Sequence, residues 1–86
     1  MPNNNYKILN QAVNLNYVAA IDVICRHSMQ DFEYHYFNIL TRDGTIRVNN
    51  YMSIDYGWRE IVAHEDFVHL REELINAFMN LSSDAK

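Results

Sequence analysis

The sequence predicts an α+β fold: an antiparallel meander of three to four strands with a C-terminal helix packed on one face. A short N-terminal helix is an optional first element, giving the order α-β-β-β-α. Three observations lead there. Apolar residues alternate through most of residues 15–54, an Asp43-Gly44 turn divides that region, and residues 67–81 carry apolar positions at helical spacing.

Taken in order, Tyr6, Leu9 and Val13 could share one face of a short helix. In "LNYVAAIDVIC" the odd positions Leu15, Tyr17, Ala19, Ile21, Val23 and Cys25 are apolar, which reads as one strand with Cys25 facing the core, although Val18, Ala20 and Ile24 leave a helix as the minority reading. "DFEYHYFNIL" alternates Phe32, Tyr34 and Tyr36 against Glu33 and His35, and a tight Met29-Gln30 turn would set Arg26 opposite Glu33 and Cys25 opposite Tyr34. After Asp43-Gly44, "TIRVNNYMSI" places Ile46, Val48, Met52 and Ile54 on one parity.

The turn sets the register. A three-residue Arg42-Asp43-Gly44 loop, with Gly44 left-handed, pairs Leu40 with Ile46, Tyr34 with Met52 and Phe32 with Ile54. The even-numbered apolar residues of the second and third strands then share the core face, and Ala20, Ile24, His35, Phe37 and Ile39 fall on the reverse. "DYGWREIVA" suits either a helical turn or a short fourth strand. The helix itself is expected over about 65–81, with Phe67, Leu70, Leu74, Ala77, Phe78 and Leu81 as its buried stripe and Glu65 and Asp66 in its first turn.

At 86 residues the chain is expected to form one domain, 1–86, with residues 1–5 and 82–86 frayed. No apolar run approaches the ~18 residues of a membrane span, and "MPNNNYK" lacks the pattern of a secretory signal. The single cysteine precludes an internal disulfide and points to a reducing, cytoplasmic setting. Charge is uneven: residues 60–86 hold six acids against two bases, while residues 1–59 balance five against five, so the net −4 lies in the C-terminal third. Such an asymmetry bears on partners.

Catalytic signatures are weak. "AHEDFVHLREE" opens like a zinc-protease helix, but His64 and His69 are five apart, about 140° around the axis, so one ion cannot reach both. No two of the four histidines have ligand spacing in the sequence, so no metal and no cofactor is assigned. Cys25 reads as a buried thiol, and the helix carboxylates form a stripe rather than a confronted pair. The chain reads as a non-enzyme.

For nucleic acid, Tyr34, Tyr36, Phe37 and Tyr51 could stack bases on a sheet. The element order resembles that of Whirly-type single-strand binders, and with the first helix that of a double-stranded-RNA-binding domain. No motif accompanies either likeness. Phosphate contact wants clustered Lys and Arg, and the five arginines are dispersed among acids. Nucleic acid is therefore the alternative reading.

The favoured expectation is a small acidic protein-binding module. Val68, Ile75 and Met79 form a second apolar stripe on the helix beside Glu65, Asp66, Glu72 and Glu73, and these seven are the candidate partner-binding residues. The partner would be a protein with a basic surface, a second copy in a homodimer, or both. One version is an inhibitor of immunity or phage and mobile-element type, blocking the basic groove of a nucleic-acid enzyme.

Overall fold

The computed structural model describes residues 4–30, 32–53 and 59–84. Among the described residues eight strands precede one helix: β1 (Asn5–Ile8), β2 (Gln11–Asn14), β3 (Val18–Ile21), β4 (Cys25–Ser28), β5 (Glu33–Thr41), β6 (Gly44–Asn49), β7 (Tyr51–Ser53), β8 (Arg59–Ile61) and α1 (His64–Asp84). The α+β class stands, with antiparallel sheets and a C-terminal helix. The N-terminal helix does not form, and the strands are shorter and more numerous than expected.

In place of that helix β1 and β2 make a hairpin, Tyr6 opposite Val13 and Ile8 opposite Gln11. Its alternation is clean: Asn5, Lys7 and Ala12 are exposed, while Ile8 and Val13 are buried. The turn carries no glycine, which hides it in the sequence. Leu9 takes the left-handed conformation, φ 54°, at a cost of about 1–2 kcal/mol, and packs its side chain against the core.

The expected single strand over 15–25 is broken twice. Asn14 Oδ1 accepts from the Asn16 amide and caps a 3-10 turn at Leu15–Tyr17. Farther on, the Asp22 amide donates to Asn38 O and Asp22 Oδ1 accepts from the Val23 amide, while Arg71 Nε of α1 donates to Asp22 O. This second break turns Ile24 toward the core. β3 and β4 then lie end to end along one edge of β5, with β6 along the other.

The β5–β6 hairpin corrects the predicted register. Its loop has two residues, Arg42-Asp43, so Leu40 faces Thr45, Ile39 faces Ile46 and Phe37 faces Val48. Thr41 closes it: its hydroxyl donates to Gly44 O at 2.8 Å and accepts from the Asp43 amide at 3.2 Å. Gly44 has positive φ, as expected, at 143°. A one-residue slip exchanges the faces of a strand, so Phe37 and Ile39 face the core and Tyr34 and Tyr36 face outward. Physically this suits the residues, because phenylalanine and isoleucine carry no hydroxyl to desolvate whereas a tyrosine has a polar tip.

The β4–β5 pairing also slides, by two residues: Cys25 faces Tyr36, Arg26 faces His35 and His27 faces Tyr34. Cys25 and the tyrosines thus share a face as expected, but it is the outer one, so Cys25 is not in the core. The ambiguous 57–63 segment yields strand β8, paired with β7. The Phe32–Ile54 pairing, the placement of Trp58 and the fraying at 1–3 and 85–86 lie outside the described residues.

The core comprises Ile8, Val13, Leu15, Val18, Phe37, Ile39, Val48, Phe67 and Leu74. The helix stripe is as expected: Phe67 and Leu74 are buried, and Leu70, Ala77, Phe78 and Leu81 pack around them. Phe67 meets Phe37 at 5.4 Å between ring centroids, which seats α1 on the odd-numbered face of β5. Glu65 and Asp66 occupy the first helical turn, where the dipole favours carboxylates.

Candidate binding face

With α1 on one side of β5, its even-numbered side chains look away from the core. β5 supplies Tyr34 and Tyr36, β4 brings Cys25 and His27 beside them, and β7 adds Tyr51. Phe32 leads into the cluster from the β4–β5 turn, where the Met29 amide donates to Phe32 O at 2.7 Å.

The rings form a connected group. Tyr34 and Tyr51 meet at 5.1 Å and 77°, Phe32 and Tyr51 at 5.5 Å and 86°, and His27 and Tyr34 at 5.3 Å. Edge-to-face pairs at these distances are worth about 0.5–1.5 kcal/mol each beyond their burial. Arginines flank the cluster. The Arg47 guanidinium lies 4.1 Å from the Tyr36 ring centroid and that of Arg59 lies 4.3 Å from Phe32. Arg42 stacks on Tyr17 at 3.8 Å near the hairpin end. Such cation–π contacts contribute about 0.5–1 kcal/mol when exposed.

The four rings of Phe32, Tyr34, Tyr36 and Tyr51 are half-buried, and Ile61, opposite Tyr51, is 58% exposed. Among the described residues, no strand position on this face is acidic. Glu33 and Glu60 have the other parity, and Asp22 and Asp43 stand at the margins.

The residues singled out from the sequence sit elsewhere, on α1. Glu65, Asp66, Glu72 and Glu73 are all exposed. Val68 and Ile75 are half-buried without packing on the core cluster, and Met79 is 61% exposed. The helix therefore displays the acidic stripe and the second apolar stripe together, on the side of the sheet away from the rings. Glu73 also approaches Tyr6, whose phenol is held above its ordinary pKa first by burial and then by that carboxylate.

Sequence reasoning missed three features. Arg47 and Arg59 are far in sequence from the rings they cover, and parity had placed the tyrosines inward. Asn50, 4% exposed, is the buried polar residue of the core. Its side chain accepts from the His35 amide and donates to Val62 O, tying β5 to the segment that enters α1. Finally, His35 was expected on the reverse face, yet it reaches His64 at 2.9 Å between Nδ1 atoms. Only the doublet "NN" at 49–50, where alternation falters, signalled the second of these. Compared with protein-family models, curated proteins and solved structures, the chain matches none of them.

Proposed function

We propose that this protein is a non-catalytic binding module that grips another protein through the outer face of its sheet. The observation that supports this most is the cluster of Phe32, Tyr34, Tyr36 and Tyr51 flanked by Arg47 and Arg59. Tyr and Arg are the residues that most often dominate binding energy at protein interfaces. Here they are ordered before any partner arrives, which lowers the entropy cost of association.

The same geometry is poorly suited to a nucleic-acid strand. Successive bases need open ring faces and a cationic track for phosphates. Guanidinium groups already cover Tyr36 and Phe32, Tyr51 meets its neighbours edge to face, and the net charge is −4. On α1, on the other side of the sheet, Glu65, Asp66, Glu72 and Glu73 add a negative field that repels polyanions. An inhibitor of a nucleic-acid enzyme remains the concrete form of this reading, and the sole cysteine fits a cytoplasmic setting.

The test is capture from a nuclease-treated lysate of the native host. The unmodified chain should retain a protein that the Tyr34→Ala/Arg47→Ala double variant loses at least tenfold. Glu72→Gln/Glu73→Gln, on the other side of the sheet, should leave capture unaltered. Equal retention by the Tyr34→Ala/Arg47→Ala variant, or capture from an untreated lysate only, would overturn the proposal.

A further inference from the structure

His35 and His64 stand 29 residues apart in the chain, yet their Nδ1 atoms lie 2.9 Å apart with ring planes at 89°. β5 holds His35 firmly: its backbone is bonded to Asn50 through both N–H and C=O, and its side chain is 13% exposed. His64 is the first residue of α1 and is open to solvent. Across the His35 ring, Nε2 lies 3.6 Å from Glu33 Oε1. A proton on Nε2 facing that carboxylate leaves the Nδ1 lone pair directed at His64. Two neutral Nδ1 atoms this close need something between them, either a proton from one ring or a metal ion shared by both.

We infer that the pair is a chelating site for a divalent first-row metal ion of tetragonal preference, copper(II) or nickel(II), with water at the remaining positions. The present separation of the two nitrogens matches the cis positions of such an ion. With metal–imidazole bonds of about 2.0–2.1 Å, nitrogens 2.9 Å apart subtend about 90°, the cis angle of a tetragonal ion. A tetrahedral zinc site would spread them to about 3.3 Å at the same bond length. Imidazole donors in tetragonal geometry mark copper(II) or nickel(II).

Glu33 plays the orienting part that carboxylates play behind metal-bound histidines, fixing the tautomer from the far side of the ring. Arg26, opposite His35 in the β4–β5 register, and the positive end of α1 both oppose a cation and keep the site weak. Among the described residues no group of three or more His, Cys, Asp or Glu is placed to hold a metal, so the site is drawn with these two nitrogens as its ligands from those residues. On binding, the proton between the two Nδ1 atoms passes by way of solvent to Nε2 of His64, so both rings bind as neutral imidazoles through Nδ1, with no redox change. The site faces the helix side of β5 and does not depend on the proposed partner face.

The test titrates the full chain with copper(II) and reads nitrogen hyperfine structure by electron paramagnetic resonance. One equivalent should bind through two imidazoles. His64→Ala should weaken binding at least tenfold and leave at most one imidazole, with unchanged circular dichroism because His64 is exposed. Glu33→Gln should weaken binding about 10–100-fold, and His27→Ala/His69→Ala should leave it unaltered. Nickel(II) should compete better than zinc(II). No binding by the unmodified chain, the same affinity in His64→Ala, or loss in His27→Ala/His69→Ala would overturn the site. Zinc(II) outcompeting nickel(II) would overturn its tetragonal geometry.

Discussion

Two single side chains carry consequences out of proportion to their size. Asn50 satisfies the His35 amide and the Val62 carbonyl from a nearly solvent-free position. Asn50→Ala leaves both groups unpaired, and each such group costs about 1–3 kcal/mol. The expected loss is about 2–4 kcal/mol, read as a lower urea midpoint at unchanged slope. Tyr6 gives a pH effect. Its folded pKa is raised above 10.0 by burial and then by Glu73, so the unfolded chain ionises first as pH climbs. Stability is therefore intact below about pH 10 and falls as pH rises through the raised folded value. Tyr6→Phe should remove that alkaline decline, measured as the difference in unfolding free energy between pH 9 and pH 11. An identical decline in the variant would show that another group causes it.

Among the elements, α1 was legible because one amphipathic period decides it: the six apolar positions at helical spacing are the ones that meet the core. Sheet registers are less legible, since β5 is apolar on both parities, with Tyr34, Tyr36 and Leu40 on one and Phe37 and Ile39 on the other. What chose between them is the Thr41 hydroxyl, which closes a two-residue loop, together with the preference of tyrosine for a wet face. The β1–β2 hairpin was illegible for another reason, because its turn places leucine where glycine is the usual signal. The His35–His64 meeting depends on β5 and the start of α1 being neighbours, which no local pattern encodes. Mutations separate the two registers cleanly. Phe37→Ala should cost about 3–5 kcal/mol as a buried ring removed, whereas Leu40→Ala, at a site 40% exposed, should cost about 0.5 kcal/mol or less. The predicted three-residue loop would have made Leu40 the costly one. Gly44→Ala meets nothing within 4 Å, so its penalty of about 1–3 kcal/mol comes from φ at +143° alone.

At the scale of the whole molecule, charge and aromatic surface are sorted to opposite sides. The helix presents carboxylates, and the outer face of the sheet presents rings and arginines, with acids at its margins among the described residues. No helix among the described residues is long and apolar enough to cross a membrane. The residues Val68, Ile75 and Met79 lie on α1, apart from the rings, and we propose them as a contact with another copy of the chain. A homodimer formed there should sediment as a dimer and become monomeric, still folded, in Met79→Asp, because a carboxylate in a dry interface costs several kcal/mol and little in water. Sedimentation of the unmodified chain as a monomer at high micromolar concentration would remove that contact and leave the sheet face unaffected. Hydroxyl-radical footprinting of the captured complex reads the sheet face itself. Tyr34, Tyr36 and Tyr51 should lose reactivity when the partner is bound, while Met79 and His69 keep theirs. Unchanged reactivity of the three tyrosines, with protection confined to α1, would contradict it.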